Sequence, residues 1–330
     1  MRNLTLAYSS CPNDTFIFNA IANNLLKTAD SNIAFNITIA DVETLNQYAI
    51  KSVFDITKLS FATFGALRDK YALLRTGAAL GRGCGPLVVS LPKKATMFEK
   101  EILDKNISSL PKNSSLRKAP IKKTIVAVPG IGTTAFVLFS LFLKEHLPQI
   151  EPEIVPMPFE KIMPALKDGS VDLGVIIHEG RFTYQNFGLS CIVDLGEWWE
   201  KFTGLPIPLG CIAIKRDICE IIIKENIDAV ELNSDSYEEN RKERQRLASV
   251  VQSLIGQSIQ YAFENPEDSK EYIKAHAQEL DERVISQHIN LYVNDFSKDI
   301  GTEGEKAICT FFQKAEEAGI IKPNNKPLFA

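Results

Sequence analysis

The sequence predicts an α/β fold in two lobes, and three observations carry that prediction. The chain has 330 residues, more than the roughly 250–300 that one hydrophobic core usually serves. Its first ninety residues alternate strand and helix. Leu4–Tyr8 is a short apolar strand, an apolar helix follows as far as Lys27, and Ile33, Phe35, Ile37 and Ile39 repeat with period two, which is βαβ grammar. The same pattern restarts at Thr124-Ile125-Val126-Ala127-Val128, runs through a helix over Thr133–His146 and reaches a further strand at Asp172–Ile177.

The first helix draws its apolar side from Phe16, Ile17, Phe18, Ala20, Ile21, Leu25 and Leu26. A strand is expected over Phe54-Asp55-Ile56-Thr57, with Lys58-Leu59-Ser60 in the turn after it, and another over Leu87–Leu91. Between the two α/β blocks, Lys93–Lys123 carries nine Lys/Arg against three Asp/Glu together with Pro111, Ser114 and Ser115. It reads as a solvated basic loop, because it lacks the interleaved aromatics of a nucleic-acid surface. After Cys211-Ile212-Ala213-Ile214 the chain turns to long charged helices over Asp235–Phe263, Pro266–Gln278, Arg283–Asn294 and Gly304–Ala318. Leu247, Val250, Val251, Leu254, Ile255 and Ile259 keep helical spacing, so the first of these packs against a core. The charged stretch Asn226–Arg246 reads as an exposed connection. The expected division is 1–91 with 213–330 as one lobe, carrying the C-terminal helices, and 92–212 as the other.

Composition narrows the class. Hydrophobic residues are 45%, charged residues 24% and the net charge −4, ordinary values for a globular chain that give no reason to expect nucleic acid or an anionic membrane as partner. The N-terminus lacks a signal-peptide apolar region, so the protein is expected to stay in the cytoplasm. Ala135–Leu143, the longest apolar stretch, falls short of the about 20 residues a bilayer span needs. Cys11, Cys84, Cys191, Cys211, Cys219 and Cys309 are scattered without a CxxC pair, which suits reduced thiols and gives no expectation of a metal site.

Four segments carry candidate chemistry. Ser9-Ser10-Cys11-Pro12-Asn13-Asp14-Thr15-Phe16 places a polar turn between the first strand and its helix, where α/β proteins hold anions and polar substrates; read plainly, Asp14 is a helix N-cap worth about 1 kcal/mol. Gly81-Arg82-Gly83-Cys84-Gly85-Pro86 precedes a strand instead of following one, the reverse of a dinucleotide fingerprint, and reads as a tight crossing into the second lobe or a simple turn. Pro129-Gly130-Ile131-Gly132-Thr133-Thr134-Ala135 follows a strand and opens a helix but lacks the Lys-Ser/Thr of a phosphate loop, leaving a carboxylate site or a Thr cap. His178-Glu179-Gly180-Arg181-Phe182 lies just past the strand Val175-Ile176-Ile177, and a neutral imidazole there suits a general base. His146, His276 and His288 sit in helical stretches with charged or ordinary neighbours. Cys11 with His178 is the one conceivable thiol pair, although Pro12 and the cap position favour Cys11 as a packing residue.

Taken together, the Ser9–Phe16 turn, Lys58-Leu59-Ser60, Gly81–Leu87, Gly132-Thr133-Thr134-Ala135 and His178-Glu179-Gly180 resemble the 1,4-dihydroxy-6-naphthoate synthases of the futalosine route to menaquinone, in order and spacing over nearly the whole chain. The resemblance implies the two-lobed fold of type 2 periplasmic binding proteins, with the ligand cleft between lobes, used by a cytoplasmic enzyme. It implies a carbon–carbon lyase that needs no cofactor and no metal, converting cyclic dehypoxanthinylfutalosine to 1,4-dihydroxy-6-naphthoate and dihydroxyacetone. It places the proton acceptor at His178 and substrate-binding segments at Lys58, Leu59 and Ser60 and at Thr134 and Ala135, with Asp14 and Arg82 lining the cleft. Ser10 departs from the proline usual there, and Lys93–Lys123 and Asn226–Arg246 are longer than is usual. Two alternatives stand beside this reading: chorismate dehydratase, of the same pathway and fold, and a binding protein that captures a small carboxylate without chemistry.

Overall fold

The structure is a computed structural model that describes residues 2–26, 33–103, 124–218, 234–277 and 281–330. The described residues form two β-sheets, built from eleven strands: β1 (Arg2–Ser9), β2 (Ile33–Ala40), β3 (Ile56–Ser60), β4 (Tyr71–Leu73), β5 (Ala79–Gly81), β6 (Leu87–Ser90), β7 (Ile125–Val128), β8 (Glu153–Pro156), β9 (Leu173–Ile176), β10 (Ser190–Asp194) and β11 (Ile207–Lys215). The first sheet runs β2-β1-β3-β11-β4, with β5 also on β11, and the second runs β10-β6-β9-β7-β8. β1 is parallel to β2 and β3, and β7 to β8 and β9, while β11, β6 and β10 run antiparallel to their neighbours. Each sheet is therefore a parallel core with an antiparallel return.

Strand composition follows position. β1 and β3 lie inside the first sheet with helices over it, and Leu4, Leu6, Tyr8, Ile56 and Leu59 are all buried. β2 is an edge strand; its alternating Ile33, Phe35, Ile37 and Ile39 are partly buried against the core, as a strand covered on one face should be. Leu247, Val251, Leu254, Ile255 and Ile259 on the helix Ser234–Glu264 pack with Phe16, Ile17 and Phe18 of the helix Pro12–Ala22. One apolar layer is shared by the two sheets. It joins Leu59, Phe61 and Phe64 to Val128, Leu138, Phe139, Trp199 and Phe311.

Several expectations shift. The strand expected over Phe54–Thr57 lies two residues later, so Lys58, Leu59 and Ser60 are strand residues of β3 and not a turn. Lys93–Leu103 is not loop but lies within the helix Pro92–Leu103, begun by Pro92 at a position where a missing N–H costs nothing. The rest of that insertion, 104–123, lies outside the described residues, as do Cys219 and the part of Asn226–Arg246 before Ser234. From Ser234 that stretch is the start of the long helix, not a connection. The first helix ends at Ala22, with Asn23 as its C-cap.

The chain passes from the first sheet to the second between β5 and β6, through Gly85 at φ +132°. The crossing backbone is pressed against the start of the helix Leu195–Thr203. A Cβ on Gly196 would stand 1.7 Å from the Cys84 carbonyl oxygen, and one on Gly85 2.8 Å from Gly196 Cα. These are main-chain atoms, so neither contact is relieved by a side chain turning away. Gly196→Ala should destabilise the protein by roughly 3 kcal/mol or more, read as a lower denaturant midpoint at unchanged slope; a midpoint equal to that of the parent would show that this crossing tolerates movement.

Candidate functional site

Four strands deliver the site. β1 ends at Ser9, β3 at Ser60, β7 at Val128 and β9 at Ile176, and their carboxyl ends converge on one cavity lined by Ser9, Asn13, Asp14, Lys58, Ser60, Thr133, Thr134, Ala135, Ile177, His178, His288 and Tyr292 among others. Strand pairing explains the convergence: parallel strands in each sheet carry their loops to the same edge.

At the floor of the cavity Lys58 Nζ lies 2.5 Å from Asp14 Oδ1, with the two side chains 5% and 1% exposed. Asp14 is not an N-cap. The helix starts at Pro12, Cys11 is its cap residue without a side-chain bond, and Asp14 sits within the first turn. Its carboxylate instead accepts from Ser9 Oγ at 2.6 Å, from Ser9 N at 3.2 Å and from Asn13 Nδ2 at 2.8 Å. Lys58 Nζ also reaches the Gly77 carbonyl at 3.5 Å, so two of the three ammonium donors are spent on the protein. Ser60 is positioned from beside it: Asn46 Nδ2 donates to Ser60 Oγ at 3.1 Å and Ser60 N donates to Asn46 Oδ1 at 3.0 Å.

Opposite stands His178, two residues beyond β9 and at φ +54°. A left-handed backbone is uncommon for a side chain with a Cβ and concentrates at functional positions; here it turns the ring back toward the first sheet. Nδ1 lies 3.5 Å from Cys11 Sγ, and Phe159 packs edge-on at 5.0 Å between centroids. Burial pushes the imidazole down to about 4, opposed by Asp14 and helped by Lys58. Burial likewise holds the Cys11 thiol well above its ordinary value, with Glu179 and Asp14 adding to the effect, so thiol and imidazole are a neutral pair and not a thiolate–imidazolium nucleophile.

The other expected positions divide. Thr133 caps the helix Thr134–His146 by accepting from Phe136 N at 3.2 Å. Thr134 and Ala135 line the cavity, but the Thr134 hydroxyl is engaged: it donates to the Leu209 carbonyl at 2.8 Å and accepts from Ala62 N at 3.2 Å. Thr63 Oγ donates to the Gly132 carbonyl at 2.8 Å beside it. Leu59, on the opposite face of β3, is fully buried in the shared core and does not line the cavity. Arg82 does not line it either. It is exposed and pairs with Glu303 at 2.8 Å and Glu200 at 3.6 Å, because the Gly81–Gly83 turn aims it at the helices on the outside.

His288, read from the sequence as an ordinary helical residue, is part of the site. It lies on the helix Glu282–Tyr292, is 1% exposed, and its ring stacks nearly parallel to that of His178 at 6.2 Å. Ile285, His288 and Tyr292 form the buried stripe of that helix, so a histidine at apolar spacing was the available signal.

A family model described as menaquinone biosynthesis matches residues 4–317. A Thermus thermophilus protein named 1,4-dihydroxy-6-naphthoate synthase is 39% identical over 329 residues, covering 100% of each chain. A Streptomyces coelicolor protein of the same name is 40% identical, covering 96% of this chain and 94% of its own. Among solved structures, a protein from Archaeoglobus fulgidus aligns with a TM-score of 0.72 at 29% identity, over 97% of this chain and 98% of that one. The periplasmic aliphatic sulphonate binding protein of Escherichia coli aligns at 0.56 and 11% identity over 99% and 90%, a likeness of fold: two sheets with a cleft, as in periplasmic binding proteins.

Two measurements test this geometry. Asp14→Asn leaves the Lys58 ammonium buried without its carboxylate and should cost about 3–5 kcal/mol in chemical unfolding, most of it recovered when Lys58→Met is added. Equal loss in the single and double variants would show that the pair is not the unit of stability. The second is acid sensitivity. The His178 imidazole is held at about 4 against an ordinary 6.5, so between those values the unfolded chain binds more protons, and stability present above pH 6.5 is lost as pH falls toward 4. From this one group the loss should reach on the order of 2 kcal/mol by pH 5. The melting temperature should therefore fall more between pH 7.5 and pH 5 in the parent protein than in His178→Gln; identical falls would contradict a buried neutral imidazole.

Proposed function

The chain belongs to the menaquinone biosynthesis family, and from that membership we propose that it is a 1,4-dihydroxy-6-naphthoate synthase, a carbon–carbon lyase that converts cyclic dehypoxanthinylfutalosine to 1,4-dihydroxy-6-naphthoate and dihydroxyacetone. The observation that carries this reading is the placement of His178. A neutral imidazole stands on a left-handed turn at the end of β9, across the cavity from a buried Lys58–Asp14 pair.

In this reading the side chains divide the work. His178 takes a carbon-bound proton from the substrate; its imidazole is unprotonated at neutral pH because burial disfavours the cation. General-base assistance of this kind is worth about 10²- to 10⁴-fold in rate. The Lys58 donor not spent on Asp14 or Gly77 and the Ser60 hydroxyl, held in place by Asn46, bind the polar groups of the substrate. The main-chain N–H groups at the start of the helix Thr134–His146 receive its carboxylate. Closing of the two sheets over the substrate excludes water from the reacting centre. The partner is then a small carboxylated molecule and the working compartment the cytoplasm.

Incubation of the purified protein with cyclic dehypoxanthinylfutalosine should yield 1,4-dihydroxy-6-naphthoate, detected by chromatography with mass detection. His178→Ala should lower kcat by about 10²-fold or more while the dissociation constant of the product stays near that of the parent. Chorismate consumed in place of the futalosine derivative would move the chain to the dehydratase reaction, and binding without conversion of either would make it a binding protein.

A further inference from the structure

His288 has an assignable hydrogen and an unused lone pair. Asn13 Nδ2 donates to Asp14 Oδ1 at 2.8 Å, and because a carboxylate only accepts, that contact fixes the orientation of the Asn13 amide. Asn13 therefore turns Oδ1 toward His288 Nε2, 3.0 Å away, and Nε2 must carry the hydrogen. In a neutral imidazole the other nitrogen is then an acceptor. That atom, Nδ1, is buried, has no hydrogen-bond partner among the described protein atoms, and lies 3.7 Å from Glu179 Oε1. Burial holds the ring well below the ordinary histidine value, with His178 and Lys58 adding to the effect. The groups around it are Glu179 and His178 from the end of β9, Asn13 from the helix Pro12–Ala22, Lys58 from β3, Tyr292 on its own helix at 4.6 Å and Phe182 at 6.4 Å between ring centroids.

A lone pair left without a donor inside a protein is costly unless something comes to use it. His288 lines the same cavity as His178, and the user is then the ligand. We propose that His288 is a second catalytic base of this cleft, accepting the proton of a substrate hydroxyl at Nδ1 while Glu179 supplies the counter-charge.

This inference rests on the lyase reading above and gives it a second proton transfer. When a carbon–carbon bond breaks so that one fragment leaves as a ketone, the carbinol at that carbon loses its hydroxyl proton. The O–H bond breaks and an N–H bond forms at Nδ1. The electron pair left on oxygen becomes the C=O bond of the ketone, and the pair of the broken carbon–carbon bond passes to the ring fragment as an enolate. The imidazolium returns its proton to the enolate oxygen, so the count of protons and electrons closes without a further reagent. His178 serves a different proton, the one on carbon. Two bases side by side, each kept neutral, suit a reaction with two proton removals.

The test uses His288→Gln and Glu179→Gln beside the parent protein, with product formation, the dissociation constant of 1,4-dihydroxy-6-naphthoate and circular dichroism followed for each. His288→Gln should lower kcat about 10²- to 10⁴-fold, with product affinity within threefold of the parent. Glu179→Gln, the milder change, should lower kcat at least tenfold with product affinity kept, and decides the matter if His288→Gln fails to fold. Nitrogen-15 spectra of histidine-labelled parent protein at pH 7 should show one ring protonated at Nε2 and bare at Nδ1 that is missing from His288→Gln. A kcat within threefold of the parent in a folded His288→Gln or in Glu179→Gln, or the opposite tautomer in the spectra, overturns the assignment. Parent protein that forms no product removes the lyase reading as well, whereas product formation that ignores His288 removes this inference alone.

Discussion

The buried pair of Lys58 and Asp14 is the contact on which the rest of the cleft depends. Either charge alone at that depth would be prohibitive; together they are tolerable because each also has neutral partners, the carboxylate in Ser9 and Asn13 and the ammonium in the Gly77 carbonyl. The pair ties the helix after β1 to β3, and so sets the distance between two of the four strand ends that form the site. It also reaches further than its own atoms. Asn13 spends its amide on Asp14, which dictates the oxygen it shows to His288, and the hydrogen on that imidazole follows.

The second half of the site is held by backbone conformation. His178 occupies a left-handed turn directly after β9, and Arg181, three residues on, donates to the Gly83 and Gly85 carbonyls and pairs with Asp194. The strain at His178 is thus offset by an arginine that fastens the following residues to the crossing between the sheets. A fold shared with small-molecule binding proteins supplies the cleft, and a few side chains at its edges supply any chemistry.

Much of this was legible in the sequence, and the gaps have physical causes. Strand–helix alternation exposed both sheets because parallel strands buried on two faces are short apolar runs. The Thr133 cap and the position of His178 past β9 could be read because caps and strand ends are local features. Antiparallel returns such as β11, Ile207–Lys215, and edge strands such as β10 were harder, since their pairing is with residues a hundred or more positions away. Placing β3 two residues early made Leu59 look like part of a turn, when period two puts it behind Lys58 and Ser60 in the core. Asp14 looked like a cap because short acidic residues favour caps, but tertiary contact with Lys58 overrode the local preference. His288 lay hidden because its apolar spacing is the ordinary mark of packing, and only the fold brings Glu179 and His178 to it.

The hydroxyl of Thr134 has a consequence of its own. It bridges the Ala62 amide and the Leu209 carbonyl, so the helix of one sheet is latched to the main chain of the other by contacts within the protein. Parting the sheets trades those two bonds for bonds to water, at small net cost. The strength of that latch then sets the fraction of molecules found open, and with it how fast any ligand is admitted and released.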